Sequence, residues 1–454
     1  MLPQFKNNLI KNFSTGFITR FSAGMLVGCA MVCGSLQASG AQSEENVGKV
    51  RAFIHDNIGL TVKECKKDTL GSFALPKPYS VPSLTGCFQQ DMYYWDTYFT
   101  NIGLLHDGDF QQALNNVDNI LYLIEKFGYM PNGSNVIFID RSQPPYASMM
   151  VRDIYEKSGD KKWLESACKT LEKEYDFWMT QRITPTGLNR HSNNSTREQL
   201  VSFFDYMKTR FPDLASITDS TAMMTQSSHL VAEAESGWDF NPRFDSRCED
   251  FNPIDLNANL YVYETNFAYF YDQLGKKGAD KWRKAAEKRK RLINKYCYNP
   301  KDGCFYDYDF VNHRLSPIYS AAVFNLLWAG VPTKMQAKTI VDNLPRLEYP
   351  CGVVACEKGP RNRAYQWDYP NAWASFNVLP IAGLDRYGYN ADASRIARKY
   401  VDSITSIYLT TGNLWEKFNG ELGNLDITNE YEMPPFMGWT AGAFIFASDY
   451  LRTH

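Results

Sequence analysis

The sequence carries no excess of charge of either sign. Its 48 lysines and arginines face 50 aspartates and glutamates, a formal net charge of −2. Nothing in that balance draws the chain to nucleic acid or to an anionic membrane. No membrane span is expected either, because the uncharged, mostly apolar stretch from Phe21 to Leu36 is short of the ~20 residues a spanning helix needs. There is no Cys-x-x-Cys pair, and the six histidines (His55, His106, His191, His229, His313 and His454) show no ligand spacing. We therefore expect no metal site and no cofactor. No strict repeat is present, which argues against a regular helical array.

What is present is an ordinary globular composition, 44% hydrophobic and 22% charged, with one outlier. The chain holds 10 Trp, 28 Tyr and 28 Phe. Such rings fill a large helical core. They also suit carbohydrate, whose C–H faces are apolar while Tyr and Trp still offer hydrogen bonds.

The N-terminus reads as an address. Lys6, Lys11 and Arg20 precede the apolar stretch, and the small-residue tract Ala38-Ser39-Gly40-Ala41 follows it, the order of a secretory signal. Residues 1–41 are expected to be removed and the product to be periplasmic or secreted. Leu26-Val27-Gly28-Cys29 also matches a lipoprotein cleavage box, which would put a lipid anchor on Cys29. Beyond Ala41 eight cysteines remain. Cys297 with Cys304, and Cys351 with Cys356, are close enough to pair in an exported chain, and burial as free apolar side chains is an equal alternative.

Past residue 45 the dominant signal is helical. Leu114, Val117, Ile120, Leu121 and Ile124 recur at three- and four-residue intervals between Phe110 and Phe127, one apolar stripe. Trp163, Leu164, Ala167, Leu171, Tyr175 and Trp178 repeat the pattern, as do Leu260, Tyr263, Phe267, Phe270, Tyr271 and Leu274. Lys281 to Lys295 predicts a helix whose basic face is solvated. A short hairpin is expected at Cys304–Tyr308 after Asp302-Gly303. Between the helices run long stretches rich in Gly, Pro, Asn and Asp: 129–145, 189–196, 241–253, 359–368 and 420–435. Loops of such length usually carry function. About a dozen helices alternating with loops over 42–454, with no break in composition, predict a single all-α domain, a toroid or solenoid.

Four segments set carboxylates among aromatics and amides: Tyr93-Tyr94-Trp95-Asp96, Glu235-Ser236-Gly237-Trp238-Asp239, Gln366-Trp367-Asp368-Tyr369-Pro370-Asn371, and Trp415-Glu416-Lys417-Phe418 running on to Glu430-Tyr431 and Gly438-Trp439. Glycosidic cleavage needs one protonated carboxylic acid and a second carboxylate. An apolar aromatic neighbour raises a carboxyl pKa by desolvation. A lone Trp-Asp is usually an N-cap beside a core tryptophan; four such pairs in loops are less readily explained that way.

The third segment resembles the second signature of the trehalases (glycoside hydrolase family 37): Gln366, Trp367, Asp368, Pro370, Ala372 and Trp373 fit it, and Ser375 departs. The first resembles that family's other signature. Pro131-Asn132-Gly133, Arg141-Ser142-Gln143-Pro144-Pro145, Glu235 to Phe240 and Asp255-Leu256-Asn257 also match, in family order from about residue 93 to 442. The resemblance implies an (α/α)6 toroid and an inverting α-glycosidase, with trehalose as substrate, no cofactor, and a small-molecule sugar as sole partner of a monomer. It implies Asp239 as general acid and Glu416 as base. It implies sugar contacts from Trp95, Asp96, Asn132, Arg141, Gln143, Gly237, Trp367, Asp368 and Glu430. The chain departs from the family where two signature arginines are missing, at Gly86-Cys87-Phe88 and at Ser134-Asn135. Competing readings are an α-glucosidase acting on another α-linked oligosaccharide, as in the similar family 63 enzymes; an inactive surface carbohydrate-binding relative; and an epimerase or lyase on the same toroid.

Overall fold

The computed structural model describes residues 42–69 and 71–454; the proposed signal and Cys29 lie outside the described residues. Where the apolar stripes run, helices form, and their ends fall at the residues that can cap them. Phe110–Phe127 (α3) starts at Asp109, whose carboxylate accepts the Gln112 N–H, and stops at Gly128, whose φ of 82° closes the last turn. Thr196 and Gln199 close a reciprocal capping box at the start of Arg197–Arg210 (α6).

Six helices form a closed inner ring: Tyr94–His106 (α2), Ala147–Ser158 (α4), Ile254–Gln273 (α8), Val323–Ala329 (α10), Ser375–Arg386 (α12) and Gly438–Thr453 (α14). Each packs on the next, and α14 packs back on α2. They bury residues on nearly every side, as a central element must. Outside them lie α3, Lys161–Gln181 (α5), Ala279–Tyr296 (α9), Lys334–Asp342 (α11), Asn390–Thr411 (α13) and Glu44–Ile58 (α1), which are buried on one face and wet on the other. The twelve helices thus form the expected (α/α)6 toroid. The seam between α2 and α14 is the tightest joint. A Cβ on Gly442 would come within 2.1 Å of the Phe99 carbonyl oxygen, and one on Gly103 within 2.5 Å of the Gly442 Cα, so only glycine lets the ring close there.

One helical pair stands apart from the six hairpins. α6 and Ser220–Glu235 (α7) pack on each other between α5 and α8 in the chain, and the end of α7 leads directly into Gly237-Trp238-Asp239. Strands are few and short. Tyr298–Asn299 (β1) and Cys304–Phe305 (β2) make the expected hairpin, and Asn371–Trp373 (β3) pairs antiparallel with Lys417–Asn419 (β4), Trp373 facing Lys417.

Of the two alternatives open for the cysteines one holds, and one expectation, for α9, needs amending. All eight cysteines of the described residues are unpaired, six of them buried. The β1–β2 register sets Cys304 opposite Asn299, and the Cys297 carbonyl accepts from the Tyr306 N–H at 2.9 Å, so the two thiols do not face each other. The basic face of α9 is not wholly solvated: Arg289 shares the buried stripe with Trp282, Ala286 and Ile293. There it pairs with Glu264 at 2.9 Å and donates to the Asn189 and Asn257 side-chain oxygens at 2.7 and 3.0 Å.

Candidate active site

The four motif segments meet at a cluster of indoles. Trp367 stacks on Trp373 with centroids 3.6 Å apart and planes 3° from parallel. Trp95 and Trp238 lie 5.5 and 5.7 Å from Trp367, and Trp439 meets Trp95 edge-on at 5.8 Å. Every segment contributes at least one ring, so residues nearly 350 positions apart (Trp95 to Trp439) are fixed against one another by apolar contact.

The carboxylates sit on that floor. Asp96 lies in the first turn of α2, whose N-terminus is capped from the facing loop: the Gln143 Oε1 accepts the Trp95 N–H at 3.2 Å, and the Asn132 carbonyl accepts the Tyr94 N–H at 3.1 Å. Asn132 also donates its own N–H to the Arg141 carbonyl at 3.0 Å. Its side-chain amide bonds to no protein group among the described residues. Arg141 is held by Asp140 at 2.7 Å and lies over the Phe138 ring.

Asp239 follows a rigidly fixed turn. Glu235, buried without exposure, is forked by Arg182 at 2.9 and 2.8 Å and accepts the Ser142 and Ser192 N–H groups, each at 3.0 Å. Burial opposes its charge, but Arg182 and His191 hold its carboxyl down to about 2. Gly237 then turns with φ of +76°, close enough to the Trp95 indole that a Cβ would sit 2.9 Å from Cζ2. The Asp239 peptide is pinned from both sides: Gln366 Nε2 donates to the Asp239 carbonyl at 2.5 Å, and the Trp367 N–H donates to the Phe240 carbonyl at 3.1 Å. The Asp239–Phe240 peptide bond is cis.

Glu416 stands just before β4. Lys417 Nζ donates to its Oε2 and the Tyr431 hydroxyl to its Oε1, both at 2.7 Å. Lys417 Nζ also reaches Gln366 Oε1 at 3.2 Å. Gln366 thus spans the two carboxylates, holding the Asp239 peptide with its NH2 and the lysine of Glu416 with its oxygen. Glu430 accepts the Phe240 N–H at 3.1 Å on Oε1 and pairs through Oε2 with Arg210. Asp368 is engaged elsewhere. Arg361 holds its carboxylate at 2.7 and 3.1 Å, and the Tyr369 N–H bonds to Oδ1 at 2.8 Å. It braces the wall behind the site.

These carboxylates feel one another. Burial raises Asp239 to about 6, with Arg210 and Arg141 opposing and Glu416 adding to the rise. Burial, Glu416 and Asp239 raise Asp96 to about 7. Burial and Asp239 raise Glu430 to about 8 against Arg210. Several acids crowded into one desolvated pocket cannot all be ionised near neutrality, so the site holds both a proton to give and a carboxylate to receive one. Sequence reasoning missed three participants. Tyr431 and Lys417 stood beside named glutamates and were legible as neighbours. Arg210 carried no motif at all.

A ring of six helical hairpins around an acid-rich, tryptophan-floored pocket defines a toroidal glycosidase. Comparison with known proteins narrows the class. A family model described as trehalase matches residues 41–451. A periplasmic trehalase of Xanthomonas axonopodis pv. citri is 30% identical over 389 residues, covering 81% of this chain and 67% of that one. A periplasmic trehalase of Pseudomonas aeruginosa is 31% identical over 392 residues, covering 81% and 70%. Among solved structures, neutral trehalase Nth1 from Saccharomyces cerevisiae superposes with a TM-score of 0.70 at 27% identity, covering 82% of this chain and 73% of that one. A GH63 mannosylglycerate hydrolase from Thermus thermophilus shares the fold, with a TM-score of 0.63 at 15% identity and coverage of 88% and 100%. The chain belongs to the trehalase family of glycoside hydrolases.

Proposed function

We propose that the protein hydrolyses α,α-trehalose to two glucoses with inversion at the attacked carbon, Asp239 acting as general acid and Glu416 as general base. Asp239 gives its proton to the bridging oxygen as the bond from that oxygen to one anomeric carbon breaks. A water attacks that carbon from the opposite face and Glu416 takes the water's proton. Inversion of this kind sets the two carboxyl groups about 6.5–9.5 Å apart, leaving room for the water. Asn132, Arg141, Asp96 and Glu430 line the same pocket as sugar contacts, with Trp95, Gly237 and Trp367 forming its floor, while Gln143 and Asp368 support its walls.

The observation that carries the reading is the contrast between the two carboxylates. Asp239 holds its proton up to about 6, as a general acid must. Glu416 has a hydrogen-bond donor on each oxygen, Lys417 Nζ and the Tyr431 hydroxyl, which fix the orientation of its carboxyl group. The site stands in one catalytic domain, 42–454, behind an export signal at 1–41, which agrees with a periplasmic working place for a monomer. Assay of D239N and E416Q against trehalose tests the roles. Each is expected to lose about 10³-fold or more in kcat with its fold intact, in line with the loss of an essential acid or base; unchanged activity in either variant refutes its role.

A further inference from the structure

The inserted pair α6–α7 puts a guanidinium into the site that no sequence motif announces. Arg210, the last residue of α6, has only 20% of its side chain exposed. It lies over the Tyr206 ring with 5.2 Å from Cζ to the centroid. Its Nη1 pairs with Glu430, and Glu430 in turn accepts the Phe240 N–H at 3.1 Å. This chain of contacts ties the end of α6 to the peptide that follows Asp239. The Arg210 charge also acts on Asp239 itself and on the Cys87 thiol, so the guanidinium lies within electrostatic reach of both the proposed acid and the segment at Cys87.

Arginine has five N–H donors in a fixed fork. Among the described residues the only hydrogen bond from Arg210 is the one to Glu430. Nε and Nη2 therefore have no protein acceptor among the described residues, on a side chain that is mostly covered yet open on one edge, within electrostatic reach of the carboxyl that hands its proton to the leaving oxygen. A guanidinium edge matches a pair of vicinal hydroxyls as it matches a carboxylate, by two parallel donors. The group beside the proposed acid is the sugar that departs.

We propose that Arg210 is a substrate-contacting residue for the leaving sugar, its free edge donating to that sugar's hydroxyls while Glu430 fixes its orientation. This rests on the assignment of Asp239 as acid and trehalose as substrate. The pair α6–α7 thereby supplies a guanidinium to a chain whose resembling signatures have lost two.

The test compares the wild type with R210A and R210K on two substrates, trehalose and α-glucosyl fluoride, which has no leaving sugar and departs with little need of a proton. R210A is expected to lose about 100-fold in kcat/KM on trehalose, most of it in KM, and less than about threefold on the fluoride, since one well-placed charged hydrogen-bond pair contributes about 2–3 kcal/mol. R210K, which keeps the charge but loses the fork, is expected to fall between the two. Guanidinium ion at millimolar concentration should restore part of the R210A activity on trehalose. Equal losses on both substrates, or no loss on trehalose, overturn the assignment of Arg210 alone. A wild type that cleaves the fluoride but not trehalose fails the reading of the substrate, and this proposal falls with it.

Discussion

Gly237 offers the sharpest test of how the proposed acid is positioned. Its φ is +76°, and a Cβ there would lie 2.9 Å from Trp95 Cζ2, 3.0 Å from Cε2 and 3.2 Å from Pro144 Cδ. Replacing it with alanine carries two separable penalties. The left-handed backbone costs a residue with a Cβ roughly 1–2 kcal/mol. Forcing a methyl into a packed floor costs about 1–3 kcal/mol more. Gly128 supplies the control, because its φ is +82° and nothing lies within 4 Å of its would-be Cβ. G128A should therefore register the backbone penalty alone, about 1–2 kcal/mol. G237A should cost about 2–5 kcal/mol by the sum of both. It should also shift the turn that carries Asp239, two residues on, and lower kcat by about 10- to 100-fold, the scale of a misplacement near 1 Å. Urea unfolding of the wild type and both variants, with kcat on trehalose, gives the comparison. If G237A proves no less stable than G128A and as active as the wild type, the Gly237–Trp95 contact does not position the acid.

Three other expectations follow from the same site. Asp96 is raised in the fold to about 7, so the folded protein loses stability as pH climbs from the unfolded value near ~4 through 7. D96N should thus raise stability by about 2–4 kcal/mol at pH 8 and change it little at pH 4, as read by urea midpoints at the two values; the same gain at both would refute the shift. Gln366 ties the Asp239 carbonyl to Lys417, and Q366A should lower kcat by at least about tenfold with KM nearly unchanged, the cost of unmaking two buried bonds; kinetics at wild-type level would show that the bridge is idle. Arg182 neutralises Glu235 in full burial, so R182M should destabilise by about 3–5 kcal/mol through the orphaned charge. R182M combined with E235Q should recover part of that loss in denaturant midpoints, and a double variant no better than R182M would refute the account.

Much of the scaffold was legible because helices announce their buried face by period. The stripe from Leu114 to Ile124 became α3, and the stripe from Leu260 to Tyr271 lies on α8 with Leu274 as its C-cap. Ring closure was not legible. Gly103 and Gly442 are isolated glycines in apolar helices, and nothing local says that they touch across the seam. Arg289 shows a second limit: a charge on a buried stripe is tolerated only because Glu264, on the preceding helix, meets it. At the site, motif residues converged because their indoles pack together. Arg210 escaped notice because its position is set by how α6–α7 folds over the pocket, a tertiary fact with no periodic signature. The signature aspartate Asp368 shows the reverse, a residue in the most recognisable motif whose carboxylate is spent on Arg361.

The central claim, inverting hydrolysis of trehalose by Asp239 and Glu416, is tested most directly by the anomers first released. Proton NMR in the opening minutes of the reaction, run in parallel in water enriched in ¹⁸O, reads them before mutarotation mixes them. Inversion at one carbon predicts equal amounts of β-glucose and α-glucose, with the heavy oxygen entering the β anomer alone. Two molecules of α-glucose per trehalose would mean retention, and would contradict the mechanism.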